Sequence, residues 1–323
     1  MLVIHGVCRI FYRFAPNCLI AVPVFAFYCL CSAACQAVDI TDSDGHVISV
    51  RQPFSRIISL YPAHTENLFY MGADSKVAGV SKGCQDIQGV AGKPVFSYRD
   101  DPERILAARP DLVLVRPMIS RAYPAFVEML RKNGVAVVSL QPVSVDGLGE
   151  YWKKLGLLAG REKEADAMWE EFQDEVRKAK QRVSGIPPAR RKRVYFESMH
   201  RRMKSFARGS IAMFVLETAG GVNAIPDLPG VRNTNIAYCG KERLVANADR
   251  IDVYLAQYGR MNRISVDDII HEPGFGVIKA VRNRQVYLVP EEIVSRPTMR
   301  LVQGIYRIMK LLYSKHPRQK IQP

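Results

Sequence analysis

Outside its first 37 residues the chain has almost no cysteine. Cys8, Cys18, Cys29, Cys31 and Cys35 crowd that leader, which leaves only Cys84 and Cys239 for the remaining body. Two cysteines and no later Cys-x-x-Cys exclude a disulfide-stapled scaffold and a paired-cysteine redox or zinc centre. Both are expected as free or buried thiols. Acidic residues are also few, 31 against 46 Lys and Arg, for a formal charge of +15. Tryptophan is limited to Trp152 and Trp169. Neither a Gly-x-x-x-x-Gly-Lys-Ser/Thr phosphate loop nor a His-Glu-x-x-His zinc motif occurs, and the Gly89–Gly92 stretch has no helix pattern behind it. Carboxylates such as Glu197 and Asp268 have no visible catalytic companions. The motifs therefore read as a non-enzyme. No apolar run after residue 37 is long enough to cross a bilayer.

The leader has its own pattern. Arg9 and Arg13 are its only formal charges, an apolar stretch runs from Cys18 to Cys31, and Ser32-Ala33-Ala34-Cys35-Gln36-Ala37 follows. A positive start, an apolar middle and small residues describe a secretory signal over 1–37, with cleavage after Ala34 or Ala37. Cleavage before Cys35 would leave a site for a lipid anchor, although Ser32 stands where such sites usually carry Leu. A true membrane helix is the third reading, weakened by Pro23 inside a short run. The expected location is periplasmic or otherwise extracytoplasmic, soluble or lipid-tethered.

The positive charge invites a nucleic-acid reading. The basic residues are dispersed, however, apart from Arg190-Arg191-Lys192-Arg193 and the tail around Lys315 and Arg318. An exported basic protein meets anionic membranes and acidic small ligands, so no nucleic-acid partner is expected.

Along the body, short apolar runs alternate with helical patterns. Arg56 to Leu60, Lys76 to Val80, Leu112 to Val115 and Val135 to Leu140 read as strands. Pro62 starts a helix that Gly72 stops, and Tyr123 to Asn133 reads as another helix closed by Gly134. Val38 to Pro53, with its Asp44-Gly45-His46 turn, reads as a small opening hairpin. Two helices follow at the midpoint, Gly147 to Ala159 and Glu162 to Val183. On the second, Ala165, Met168, Trp169, Phe172 and Val176 share one face. The alternation restarts with strands at Arg193 to Glu197, Ile251 to Ala256 and Gln285 to Val289. Such alternation, interrupted by one long helix at the midpoint and then restarted, predicts an α/β fold of two parallel-sheet lobes. The expected boundaries are 54–145 for the first lobe, 146–186 for the helical spine and 187–317 for the second lobe.

A pattern also repeats. Glu103-Arg104 opens a small apolar helix that ends in Asp111 and a buried-type strand; Glu242-Arg243 does the same before Asp252. The second copy is looser, with ten residues from Glu242 to Asp252 against eight from Glu103 to Asp111. Two lobes of like architecture would each present one carboxylate at a matched place.

Arg56-Ile57-Ile58-Ser59-Leu60-Tyr61-Pro62-Ala63-His64-Thr65-Glu66 with Met71-Gly72-Ala73 resembles the opening strand and helix of periplasmic substrate-binding proteins of ABC importers. The branch it resembles binds iron-siderophores, haem and cobalamin. Glu103 to Val115, Leu155-Gly156, Gly160-Arg161-Glu162, Ala219-Gly220-Gly221-Val222-Asn223, Val286 to Val289 and Arg296-Pro297 are similar to further segments of that family, in the same order. The resemblance implies that the two lobes are joined by a single long inter-lobe helix, with the ligand cleft between them and limited closure about that spine. It also implies that Glu103 and Glu242 dock on arginines of the two permease subunits. The plainer alternative is that each Glu only complements its helix dipole.

Ligands of open α/β sheets sit beyond the carboxyl ends of the strands. The loops there supply Tyr61, Tyr98, Arg99, Arg116, Arg202, Tyr258 and Arg296, with Arg201 and Lys204 nearby and Met118, Met199, Met203, Met261 and Met299 as soft apolar surface. Arginines and aromatic faces suit a large anionic chelate. For any single Arg the alternative is a solvated surface residue. His200 is a further candidate, because some siderophore-binding relatives complete the metal's coordination with His and Tyr; a lone His more commonly serves the structure. No intrinsic cofactor is expected. The expected function is capture of an iron(III)-siderophore-type chelate by a monomer and its delivery to a permease dimer. Cobalamin or haem is the alternative ligand. An exported metal-processing or hydrolytic enzyme and a basic surface-binding protein are the readings from other classes.

Overall fold

The computed structural model describes residues 37–231 and 234–314. The leader with Cys35, and the basic tail with Lys315 and Arg318, lie outside the described residues. The described chain opens with the antiparallel hairpin β1 (Val38–Thr41) and β2 (Val47–Val50). The first lobe follows: β3 (Ile57–Ser59), α1 (Pro62–Tyr70), β4 (Val77–Ser81), β5 (Val95–Phe96), α2 (Pro102–Ala107), β6 (Leu112–Val115), α3 (Pro117–Ala122), α4 (Pro124–Lys132) and β7 (Ala136–Ser139). Its five strands are all parallel, in the order β5-β4-β3-β6-β7. Leu112 to Val115 are buried without alternation. A parallel sheet covered by helices on both faces requires such a continuous apolar run.

Two helices cross to the second lobe, α5 (Leu148–Ala159) and α6 (Glu162–Ser184). Gly160 turns the chain between them at φ 62°, the left-handed conformation in which a Cβ is disfavoured. The 23 residues of α6 make a rod of about 35 Å. Its buried stripe is Ala165, Met168, Phe172, Val176, Ala179 and Val183. Phe172 meets Trp152 edge-on at 5.5 Å and reaches Phe214 of the second lobe at 6.3 Å. One apolar core thus runs from the first sheet through the spine into the second lobe.

The second lobe contains β8 (Arg193–Met199), β9 (Lys204–Phe206), α7 (Ile211–Thr218), β10 (Val222–Asn223), β11 (Ile236–Tyr238), α8 (Lys241–Ala246), β12 (Val253–Tyr258), α9 (Val266–Ile270), α10 (Lys279–Arg282), β13 (Val286–Pro290), α11 (Glu291–Val294) and α12 (Arg300–Tyr313). Here the sheet departs from a purely parallel expectation. β8, β12 and β13 are parallel, but β9 folds back antiparallel on β8 and β11 pairs antiparallel with β9. The fold-back turns at Met203, φ 45°. Lys204, expected in a cleft loop, is therefore the first residue of a strand. Three-residue strands carry too little periodicity to be read from sequence. Cys84 and Cys239 are both free and buried.

The lobes also meet away from the spine. The carbonyl of Pro297 accepts from Asn67 Nδ2 at 3.0 Å and from Trp152 Nε1 at 3.2 Å, all inside the protein. Beside it, Arg296 and Arg300 of the second lobe pair with Glu66 and Asp86 of the first, Arg300 to Glu66 at 3.1 Å and Arg296 to Asp86 at 3.1 Å. Burial pushes the Glu66 carboxyl up, against the pull of Thr298 and the two guanidinium groups.

Candidate ligand cleft and docking face

The carboxyl ends of β3 and β6 set the first wall. β3 runs into Tyr61, which precedes Pro62 at the start of α1, and β6 runs into Arg116, which precedes Pro117 at the start of α3. Because β3 and β6 are neighbours, the two loops lie side by side, and the Arg116 guanidinium stacks over the Tyr61 ring at 4.9 Å. Burial raises the Tyr61 phenol above its usual range, although Arg116 and Arg296 pull the other way. It stays a neutral donor at physiological pH.

The second wall is the loop after β12. Tyr258, Met261 and, on the first wall, Met118 are large apolar side chains left exposed. Exposed apolar groups at the mouth of a charged cleft are candidates for ligand contact. The loop reaches the first lobe: a Cβ at Gly83 would stand 2.4 Å from Arg260 Nη1 and 3.0 Å from Pro62. Glu291 supports this loop, its Oε2 accepting from Met261 N at 3.2 Å. Gly83 and Pro62 on one lobe therefore confront Arg260 on the other, with the Tyr61–Arg116 stack adjoining Pro62.

The remaining expected ligand residues divide. Tyr98 and Arg99 form a separate cluster with Tyr123; the Tyr98 and Tyr123 rings are 4.8 Å apart and Arg99 Nε donates to Tyr123 Oη at 3.2 Å. Among the described residues no hydrogen bond, ion pair or ring contact joins them to Tyr61. Arg296 is near enough to act on Tyr61, but its guanidinium belongs to the inter-lobe ion pairs. Arg202 is exposed and forms no ion pair among the described residues. His200 departs most from expectation. It is buried, with Nδ1 2.8 Å from Glu197 Oε2 and Nε2 3.4 Å from Glu272 Oε2. Both ring nitrogens are taken by carboxylates, so neither is free to coordinate a chelated metal. Met199-His200-Arg201 reads as a cleft-edge loop in sequence, which hid this burial. Arg260 and Glu291 were not singled out from sequence; Arg260 lies in a strand-end loop that was.

One sequence pattern has a hydrolase look. Gly79-Val80-Ser81-Lys82-Gly83 fits Gly-x-Ser-x-Gly and ends β4. Ser81 Oγ lies 3.4 Å from Cys84 Sγ, no histidine bonds to it among the described residues, and turns rather than a helix follow. A nucleophile elbow needs both a base and that helix.

Glu103 and Glu242 occupy matched places. Each is exposed in the first turn of a six-residue helix, followed two residues later by a fully buried side chain, Ile105 or Leu244. Each helix follows the carboxyl end of a strand, β5 or β11, that runs in the same direction as the central strands of its sheet. Both glutamates therefore lie at the strand ends where the cleft opens. Neither forms an ion pair among the described residues.

A cavity of about 650 Å³ lies at the far end of α1 from Tyr61. Phe69, Tyr70, Glu171, Glu175, Arg300 and Gln303 are among its lining residues. It borders the spine rather than the strand ends, so the Tyr61–Arg260 cleft is the better placed ligand site.

The sequence profile of a periplasmic binding protein family matches residues 57–293. The chain belongs to that family. An uncharacterised ABC transporter substrate-binding lipoprotein of Bacillus subtilis is 22% identical over 284 residues, 85% of each chain. A vitamin B12-binding protein of Vibrio cholerae is 20% identical, over 86% of this chain and 95% of the relative. A structure described as a possible iron-binding periplasmic solute-binding protein of Staphylococcus epidermidis superposes with a TM-score of 0.70 at 25% identity, covering 81% of this chain and all of that one. The two-lobed α/β fold read from the alternation is the fold of these relatives. Among the described residues no helix is long and apolar enough to cross a membrane.

Proposed function

We propose that this family member is the extracytoplasmic binding component of an ABC importer and that its ligand is an anionic metal chelate of the iron-siderophore type. The observation that carries the ligand class is the Arg116–Tyr61 stack at the end of the first sheet, with Arg260 of the other lobe brought against Gly83 and Pro62 beside it. Guanidinium groups take carboxylate or catecholate oxygens in two-pronged fashion and lie flat on rings. Tyr258, Met118 and Met261 add apolar surface for a bulky ligand. Affinity and docking geometry, rather than turnover, constitute the mechanism.

Glu103 and Glu242 would set the register on the two permease subunits, and the ABC transporter relative supports that partner. Matched charges at an interface govern encounter rate and register more than affinity. Delivery from outside the cytoplasm requires export through the leader and contact with the membrane through the permease or a lipid at Cys35. A monomer suffices, because one chain supplies both docking carboxylates.

Cobalamin remains the second reading, favoured by the Vibrio relative. Haem, a flat anionic chelate, is the third. Intrinsic fluorescence separates them, because Trp152 donates to Pro297 O next to Arg296 and so senses the lobe junction. Titration with ferric siderophores, haem and cobalamin should show quenching by an anionic ferric siderophore at the lowest concentration. Binding of cobalamin alone would replace the siderophore reading, and binding of none would remove it.

A further inference from the structure

The second lobe buries a chain of polar groups that the ligand and docking residues do not explain. It begins on α8, where Lys241, the residue before Glu242, pairs with Glu272 Oε1. Glu272 Oε2 faces His200 Nε2 at 3.4 Å, and His200 Nδ1 faces Glu197 Oε2 at 2.8 Å. Glu197 is fully buried on β8 and also accepts from Tyr254 Oη of β12. Its Oε1 accepts from Asn262 Nδ2 at 3.3 Å. Asn262 returns the favour to the same loop: its Oδ1 accepts from His200 N at 2.9 Å, and its Nδ2 donates to Gln257 O at 2.8 Å. Gln257 in turn bonds Ser198 O at 3.0 Å and accepts from Ser295 Oγ at 2.6 Å.

Burying the Glu197 carboxylate and the His200 imidazole, with Glu272 half-buried beside them, is costly unless each is paired. An apolar core at this place would stabilise the lobe at least as well. What the polar chain adds is connection. One end is the docking helix, and the other is the segment that carries Tyr258, Arg260 and Met261 into the cleft.

We infer that Glu197 and His200 are positioning residues, which hold the 258–262 loop in its cleft-facing shape and join it to the helix bearing Glu242. The inference rests on the reading of that loop as a cleft wall and of α8 as a docking element. The charge state of His200 governs the join. The groups that act on it are Glu197 of β8, with Tyr254 of β12 behind it, Glu272, Lys241 of α8 through Glu272, and Asp268 of α9. Burial pulls the imidazole down, but the two glutamates outweigh it and hold the histidine above its usual range. Protonated, the ring donates to both carboxylates. As pH rises through the elevated pKa, one carboxylate loses its donor and the loop should loosen.

Hydrogen exchange on the full chain tests this without any ligand, so its failure is separate from failure of the siderophore reading. Glu197→Gln and His200→Gln should speed exchange at 258–262 by about tenfold, the equivalent of one charge-assisted hydrogen bond. Strands 57–59 and 112–115 should be unchanged. Lys241→Met, half-exposed and mild, should also speed exchange at 258–262. In the wild type, exchange there, corrected for its intrinsic pH dependence, should step upward as pH rises through the His200 titration, and His200→Gln should lack the step. An effect of Lys241→Met confined to 241–246 would overturn the join. Equal acceleration in both lobes, or a flat wild-type pH profile, would overturn the positioning role.

Discussion

Asp111 and Asp252 do the same work in the two lobes. Each precedes the strand after a short helix and ties down the start of the neighbouring strand, at Arg56 just before β3 or at Arg193, the first residue of β8. Asp111 Oδ1 accepts from Arg56 N at 2.8 Å, and Asp252 Oδ2 accepts from Arg193 N at 2.9 Å. Their own amides bond back, to Arg56 O at 3.1 Å and Arg193 O at 2.8 Å. The repeated pattern thus has two functions split between two carboxylates: the aspartates fix strand register, and the glutamates remain free on the surface. Asp111→Ala and Asp252→Ala should each cost about 1–2 kcal/mol in urea denaturation, with ligand affinity retained. Lys279 and the Arg193 amide overcome burial and hold the Asp252 carboxyl below its usual range. Its contribution is present above the unfolded carboxylate pKa and lost as pH falls through the folded one. Asp252→Ala should therefore flatten the acid limb of the stability profile.

The free pair gives an uptake prediction. Charge reversal at both positions, Glu103→Lys with Glu242→Lys, should abolish transport of the ligand in cells while titration of the purified protein shows unchanged affinity. Normal uptake by the double variant would show that the glutamates serve only their helix dipoles.

The fold was legible because the first lobe is built from buried runs such as Leu112 to Val115 and from helices bounded by Pro62, Gly72 and Gly160. The first cleft wall was legible for the same reason: Tyr61 and Arg116 follow unmistakable strands. The second wall was harder. β9 and β11 are too short to read, and the fold-back at Met203 moves Lys204 out of the cleft loops. His200 reads as a cleft-edge residue because it follows a strand, yet its partners Glu197 and Glu272 stand 3 and 72 residues away. Arg260 meets Gly83 across 177 residues of sequence, a contact that no local pattern announces.

The first wall can be tested by truncation. Arg116→Ala should weaken binding of an anionic ferric siderophore by about 10- to 100-fold, the range of a charge-assisted hydrogen bond, with an unchanged circular dichroism spectrum. The same change should leave any uncharged ligand nearly unaffected. Titration calorimetry distinguishes the two.

His64 gives a second pH dependence. It is fully buried on α1, its Nε2 is 2.8 Å from Leu140 O, and Nδ1 has no hydrogen-bond partner among the described residues. Burial pushes its pKa down to about 4, and the Leu140 carbonyl recovers only part of the shift. The unfolded chain binds a proton near pH 6.5 that the folded chain refuses until about pH 4, so stability falls as pH drops through that window. The loss should be about 3 kcal/mol between pH 7 and 4. Urea midpoints at both pH values should show a smaller difference in His64→Gln than in the wild type.

The central claim is that the cleft between Tyr61–Arg116 and the 258–262 loop holds the ligand. A crystal structure with the tightest-binding ferric siderophore tests it most directly. The ligand should touch Arg116 and Tyr61 on one lobe and Arg260 with Tyr258 or Met261 on the other. A ligand seated instead in the cavity beside Phe69, Tyr70 and Glu171 would contradict it.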